Sequence, residues 1–148
     1  MKISKKSRYG ITALIDLAIY SNEGHVALSS IAERNGISLQ YLEQVFASLR
    51  RAEIIKSIKG AQGGYLLKKS AKMITVAEII EALDGSYHVE DEYSGENMDN
   101  QAMAITIQTG VIDKVNEKLD QVLLNVTLED LVIDYRSNNE FNEQMYYI

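Results

Sequence analysis

Gly36-Ile37-Ser38-Leu39-Gln40-Tyr41-Leu42-Glu43-Gln44-Val45-Phe46-Ala47-Ser48-Leu49-Arg50-Arg51, read with the nearby Ile54-Ile55-Lys56-Ser57-Ile58-Lys59-Gly60-Ala61-Gln62-Gly63-Gly64-Tyr65-Leu66-Leu67-Lys68, decides the fold. At about 100° per residue, Leu39, Leu42, Val45, Phe46 and Leu49 gather on one side of a helix over 39–52. Gln40, Glu43, Gln44, Ala47 and Arg51 gather on the other. Ser38 stands at the N-cap position, and Gly36 supplies a permissive turn after a short helix over 29–35, where Ser30 and Glu33 have capping-box spacing. Two short helices joined by a tight turn, the second with an exposed row of Gln, Glu, Gln and Arg, are what a helix-turn-helix needs to enter a major groove. An ordinary amphipathic helix with a solvated face fits the same spacing.

The next stretch narrows the choice. Ile54–Lys59 reads as a strand, 60–64 as a glycine-rich tip and Tyr65–Lys68 as the returning strand. The order helix, turn, amphipathic helix, basic hairpin is that of a winged helix-turn-helix. Its wing can lay Lys59 and backbone amides against phosphates or in the minor groove.

Charge supports this placement. Up to Lys72 there are twelve lysines and arginines against five acids, a balance of +7; from Met73 on there are three against sixteen, −13. The net charge of −6 therefore hides a basic module, where a phosphate-binding site belongs. Candidates for phosphate and wing contacts are Lys2, Lys5, Lys6, Arg8, Arg50, Arg51, Lys56, Lys59, Gly60, Gln62 and Gly63. Candidates for base reading are Ser38, Gln40, Tyr41, Glu43 and Gln44; glutamine suits adenine and glutamate can accept from the cytosine amino group. Glu43 could instead merely pair with Arg50 or Arg51.

Working outward, a first helix is expected over 7–21 and another over 75–83, with Thr75 and Glu78 as a capping box and Val76, Ile79, Ile80 and Leu83 facing the core. The expected divisions are a winged domain over 1–84, an acidic mobile loop over 85–100, a dimerisation helix region over 101–134 and a C-terminal tail over 135–148, polar and poorly structured over 137–144 before the apolar ending at 145–148. Ile105, Ile112, Leu119 and Val126 recur every seven residues, with Val115 and Val122 three positions after two of them, approximating a heptad seam broken by Gln108. A homodimer is the expected partner of that stripe, and packing within one chain is the alternative. The fold class is thus mainly α with a small β-hairpin wing and a long C-terminal dimerisation helix.

Zero cysteines exclude disulfides and thiolate metal sites, and two histidines far apart in sequence do not suggest ligands, so neither metal nor cofactor is expected. With no histidine pair and no glycine-rich phosphate loop at a strand-to-helix junction, an enzyme is not expected either. No apolar run approaches the roughly 18 residues of a membrane span, and no secretory segment opens the chain, so a cytoplasmic location is expected.

Ser7-Arg8-Tyr9, Ile31-Ala32-Glu33, Gly36-Ile37-Ser38-Leu39, Tyr41-Leu42-Glu43-Gln44, Leu49-Arg50, Lys59-Gly60 and Gly63-Gly64-Tyr65-Leu66 resemble the IscR/NsrR/CymR family of bacterial winged-helix repressors. The match is strong over roughly the first 85 residues, and Thr127 to Val132 resembles the stretch after that family's dimerisation helix. The resemblance implies a dimeric repressor that binds inverted-repeat double-stranded DNA. Members that hold an iron–sulfur cluster carry three cysteines in the loop before the long helix, and here that loop has none. The cysteine-free loop and the ending Met145-Tyr146-Tyr147-Ile148 resemble the CymR branch, repressors of cysteine and sulfur-uptake genes that act in complex with O-acetylserine sulfhydrylase. Tyr146, Tyr147 and Ile148 are the candidate contact with that enzyme, because serine acetyltransferases dock on it through a C-terminal isoleucine; packing in the dimer is the other destination. A protein-interaction adaptor on the same fold, or a repressor with another regulon and a small-molecule effector, are the rival functions.

Overall fold

The computed structural model describes residues 3–90 and 100–146. Lys2, Tyr147 and Ile148, among the candidates above, lie outside the described residues, as does 91–99 of the acidic loop.

Helix α1 (Lys5–Tyr20) starts at Ser4, whose side chain accepts from the Ser7 amide. Helix α2 (Leu28–Asn35) starts one turn earlier than the Ser30–Glu33 spacing suggests: Ala27 is the N-cap, so the expected capping box does not form. Ser30 is already inside the helix, its amide bonded to the Ala27 carbonyl. Gly36 ends α2 in the left-handed region (φ 62°), its N–H reaching the Ala32 and Glu33 carbonyls. Ser38 then caps α3 (Leu39–Arg51) by accepting from the Tyr41 amide. Leu42, Val45, Phe46 and Leu49 are fully buried as their spacing requires, but Leu39 is 42% exposed. It lies in the first turn, beyond the edge of the core.

Strands β1 (Ile55–Ile58) and β2 (Gly64–Leu67) pair antiparallel, with Ile55 opposite Leu67 and Ile58 opposite Gly64. A short 3-10 turn, Ala71–Met73, leads to α4 (Val76–Asp84), which Thr75 caps through the Glu78 amide. Helix α4 serves two cores. Ile79 and Leu83 join Leu14, Leu17, Ile31, Leu42, Phe46 and Leu49. Val76, Ala77 and Ile80 join Tyr87, with Leu119, Leu123, Val126 and Leu131 against them. Burying a Leu- or Ile-sized side chain is worth about 1.5–3 kcal/mol, so α4 couples the two clusters strongly. Where α1 crosses α4, Gly10 allows close approach: a Cβ there would push the end of the Leu83 side chain aside.

The C-terminal half departs from the expected single seam. Helix α5 (Gln101–Ile107) passes through a π turn, Gln108–Ile112, into α6 (Asp113–Leu123). A π turn adds a residue to the helical repeat and so rotates α5 relative to α6. Within α6 itself the seam positions divide between two faces. Leu119 and Val126 pack on α4 of their own chain, and Val126 lies beyond the end of α6. Ile105, Val115 and Val122 stay exposed, as do Met103, Ile107, Val111 and Leu124, while Ile112 is half-buried.

Two further expectations are corrected. The start of the acidic loop is docked on α6: the Tyr87 hydroxyl donates to Asp120 Oδ1 at 2.5 Å, His88 Nε2 donates to the same oxygen at 2.8 Å, and Asn116 brackets the Val89 backbone on both sides. Burial, with that bond to Asp120, pushes the Tyr87 hydroxyl up to about 12. The polar stretch 137–144 is helical. Helix α7 (Leu128–Tyr146) begins at a reciprocal cap in which the Asp130 amide donates to Thr127 Oγ1 and the Thr127 amide to Asp130 Oδ2. The helix continues through the stretch expected to fray.

Candidate nucleic-acid interface

The row on α3 keeps its expected exposure. Gln40, Glu43 and Gln44 all face out beside the C-terminal pair Arg50 and Arg51, which are also exposed. Among the described residues Glu43 has no ion pair, so the pairing with Arg50 or Arg51 left open by the sequence does not form. Its carboxylate is free to accept. Ser38 is exposed but already committed as a cap. Tyr41 is half-buried and meets the Tyr9 ring edge to face at 5.6 Å, so its ring braces α3 against α1.

The cations of the first half divide by whether the fold neutralises them, and Lys72, like Lys114, Lys118 and Arg136 of the second half, is unpaired among the described residues. Arg34 is held by Asp16 at 2.7 Å, Lys68 by Glu53 at 2.9 Å and Lys69 by Glu78 at 2.7 Å. Lys5, Lys6, Arg8, Arg50, Arg51, Lys56 and Lys59 make no ion pair among the described residues. Two of these converge: Lys6 Nζ and Arg51 Nη2 both donate to Ser48 Oγ, at 3.3 and 3.1 Å, which sets two positive charges where α1 meets α3. Lys5 lies over the Tyr9 ring, 5.3 Å from its centre. Unpaired cations on α1, α3 and the hairpin carry the charge that attracts a polyanion.

The hairpin is fixed to α3 by an edge-to-face contact of Tyr65 with Phe46, centroids 4.9 Å apart. Lys56 is exposed on β1, and the tip carries exposed Lys59, Gly60 and Gln62. Gly60 has φ 122°, and a Cβ on Gly63 would collide with the Ile58 carbonyl, so the tip needs glycine at both places.

Sequence reasoning missed the residues that aim this surface. Asp84, at the end of α4, accepts from the Ser4 and Ser7 hydroxyls and the Ser4 amide, tying the start of α1 to α4. Burial raises the Asp84 carboxyl, but those bonds and the nearby Lys6 charge outweigh it and hold the group below the ordinary carboxylate range. Asp16, nearly buried, takes a bidentate bond from Arg34 and another from Asn35, fixing α1 to the end of α2 just before the turn. Arg34 also stacks on Tyr20 at 3.8 Å.

Comparison with known proteins agrees with this architecture. The family model described as Rrf2, iron-dependent transcriptional regulator, matches residues 3–134. The HTH-type transcriptional regulator IscR of Pectobacterium carotovorum subsp. carotovorum (strain PC1) is 39% identical over 134 residues, covering 89% of this chain and 79% of the relative. Among solved structures, CymR, the global cysteine regulator of B. subtilis, superposes with a TM-score of 0.71 at 37% identity, over 89% of this chain and 96% of that one. IscR of T. potens does so with 0.70 at 40%, over 91% and 88%. The donor set does not fit a cysteine-ligated iron site: the sequence has no cysteine, and the described residues contain no group of three His, Asp or Glu side chains placed for a metal ion. No helix among the described residues is long and apolar enough to cross a membrane. With a winged helix-turn-helix, a matching family model over most of its length and relatives that are regulators and not enzymes, the chain belongs to the Rrf2 family of transcriptional regulators.

Proposed function

We propose that this regulator is a homodimeric repressor that binds an inverted repeat in double-stranded DNA, with α3 in the major groove and the hairpin on the flanking backbone. The observation that carries this is the division of the cations: those on α1, α3 and the hairpin are left without acidic partners around the exposed Gln40, Glu43 and Gln44. Gln40, Glu43 and Gln44 read base edges; Lys5, Lys6, Arg8, Arg50, Arg51, Lys56 and Lys59 hold phosphates, with Lys2 a further candidate. Exposed Ile105, Val115 and Val122, with Met103, Ile107 and Val111 around them, are the apolar surface a second copy covers. Such a repressor works in the cytoplasm, where the chromosome is, and needs no cofactor.

The regulon we propose is cysteine and sulfur uptake, with O-acetylserine sulfhydrylase as partner. It is supported by the likeness to a structure described as a global cysteine regulator and by the cysteine-free sequence. Helix α7 carries exposed Phe141 and Met145 and ends on Tyr146, 92% exposed, leading into Tyr147 and Ile148. Those three last residues are the element we assign to the enzyme. Selecting bound fragments from the source genome tests the regulon: an inverted repeat upstream of sulfur genes is expected, and sites confined to unrelated genes would overturn it. Deleting Tyr147 and Ile148 tests the partner. Calorimetry should then show sulfhydrylase binding lost while sedimentation still shows a dimer, and retained enzyme binding would refute the assignment.

A further inference from the structure

The hairpin tip is held from outside the hairpin by one side chain. The β1–β2 ladder ends at the Ile58–Gly64 pair, and among the described residues Lys59–Gly63 have only two further hydrogen bonds. One is internal, from the Gly63 amide to the Gly60 carbonyl at 3.0 Å. The other comes from the α1–α2 connection: His25 Nε2 donates to the Gln62 carbonyl at 2.5 Å. A carbonyl can only accept, so the ring carries its proton on Nε2.

The connection is braced to do this. Val26, next to His25, exchanges backbone hydrogen bonds with Tyr65 at 3.0 and 2.8 Å and so lies along β2 like a one-residue third strand. Gly64 permits that approach, since a Cβ there would meet the Val26 carbonyl and come within 3.0 Å of the His25 ring. At its base the hairpin is fixed to α3 through Tyr65 and Phe46. Only the tip is left to swing, and His25 sits where it limits that swing. Its ring is exposed and makes no ion pair among the described residues, so the fold has no other evident use for it.

We infer that His25 is a positioning residue for DNA recognition: by pinning the Gln62 carbonyl, it sets the hairpin tip relative to α3 so that Lys59 and the tip amides meet phosphates while α3 occupies the major groove. This rests on the DNA-binding role proposed above. The pin acts by preorganisation, since a tip already at its bound angle loses less freedom on binding.

The test compares the full-length protein with His25→Leu, His25→Gln and Lys59→Ala, using the tightest duplex selected from random-sequence DNA. Amide exchange across Ala61–Gly64 and thermal unfolding are followed in the free proteins. His25→Leu should speed exchange at the tip, leave the melting temperature unchanged and weaken binding roughly five- to tenfold, about the worth of one hydrogen bond. His25→Gln, whose amide nitrogen can reach the same carbonyl, should restore most of the affinity. If Lys59→Ala weakens binding and His25→Leu does not, the pin is overturned and the wing stands. A lowered melting temperature without rescue by glutamine would make His25 a stability residue and also overturn it. If neither Lys59→Ala nor His25→Leu alters binding, the wing contact itself fails and takes the pin with it.

Discussion

Ser7 and Asp84 meet at 2.5 Å across 77 residues of sequence, hydroxyl to carboxylate, and that bond joins the first helix to the last helix of the winged domain. Ser7 is fully buried. Ser7→Ala removes a bond to a charged acceptor and should cost about 1–3 kcal/mol of unfolding free energy in a denaturant titration. The sign of the Asp84 shift sets the pH dependence. Its carboxyl is depressed in the fold, so its contribution is present above the ordinary carboxylate range and is lost as pH falls through the lower folded value. Stability of the parent should fall on acidification more steeply than that of Asp84→Asn; parallel curves would show that the bond carries no net stabilisation.

Glu53 is the one non-glycine residue with positive φ (62°) among the described residues. It lies just past α3, where a left-handed residue lets the chain turn into β1, and a side chain there is strained. Its exposed pair with Lys68 returns little. Glu53→Gly should raise the melting temperature by roughly 2–4 °C in calorimetry. A fall would mean that the ion pair outweighs the strain.

Ile105 and Val122 are exposed on the single chain, whereas Leu119 packs on α4. Lysine at Ile105 or Val122 should leave the protomer folded and raise the dimer dissociation constant by more than about a hundredfold, because a charge would be trapped in an apolar interface. Leu119→Ala should instead lower thermal stability first. Sedimentation equilibrium beside circular dichroism separates the two effects, and unchanged association of both lysine variants would place the interface elsewhere.

Glu43 and Lys59 should fail differently. Glu43→Ala should relax preference at one base-pair position per half-site by about 1–3 kcal/mol while leaving non-specific affinity equal or higher. Lys59→Ala should weaken all sequences alike. Binding to a panel of single-base operator variants distinguishes them, and a uniform loss for Glu43→Ala would make its role structural.

The helix-turn-helix and its hairpin were legible because their signals are local. The period of Leu42, Val45, Phe46 and Leu49, the cap at Ser38, the turn at Gly36 and the glycines of the hairpin each act within a few residues, and each holds in the structure. The features that escaped are non-local or lack a stripe. The bonds of Asp84 to Ser4 and Ser7, of Asp16 to Arg34 and of Tyr87 to Asp120 join residues that only the fold brings together. The seven-residue repeat is interrupted in sequence at Gln108, but a polar residue in a seam does not announce the π turn that begins there. Helix α7 is polar on most sides beyond Val132, so it offered no apolar period to distinguish it from a tail. The charge excess of the first half was visible, but which of its cations the fold would neutralise was not.

Salt dependence of binding to the selected duplex tests the DNA-binding claim most directly. A dimer neutralising about six to ten phosphates should give a straight line of log affinity against log salt with a slope of roughly −5 to −9. Charge-removing variants at Lys6, Arg51 and Lys59 should each make that slope shallower by about one for every phosphate contact they remove. A flat line, or a slope that none of the three variants alters, would contradict the assignment of this surface to DNA.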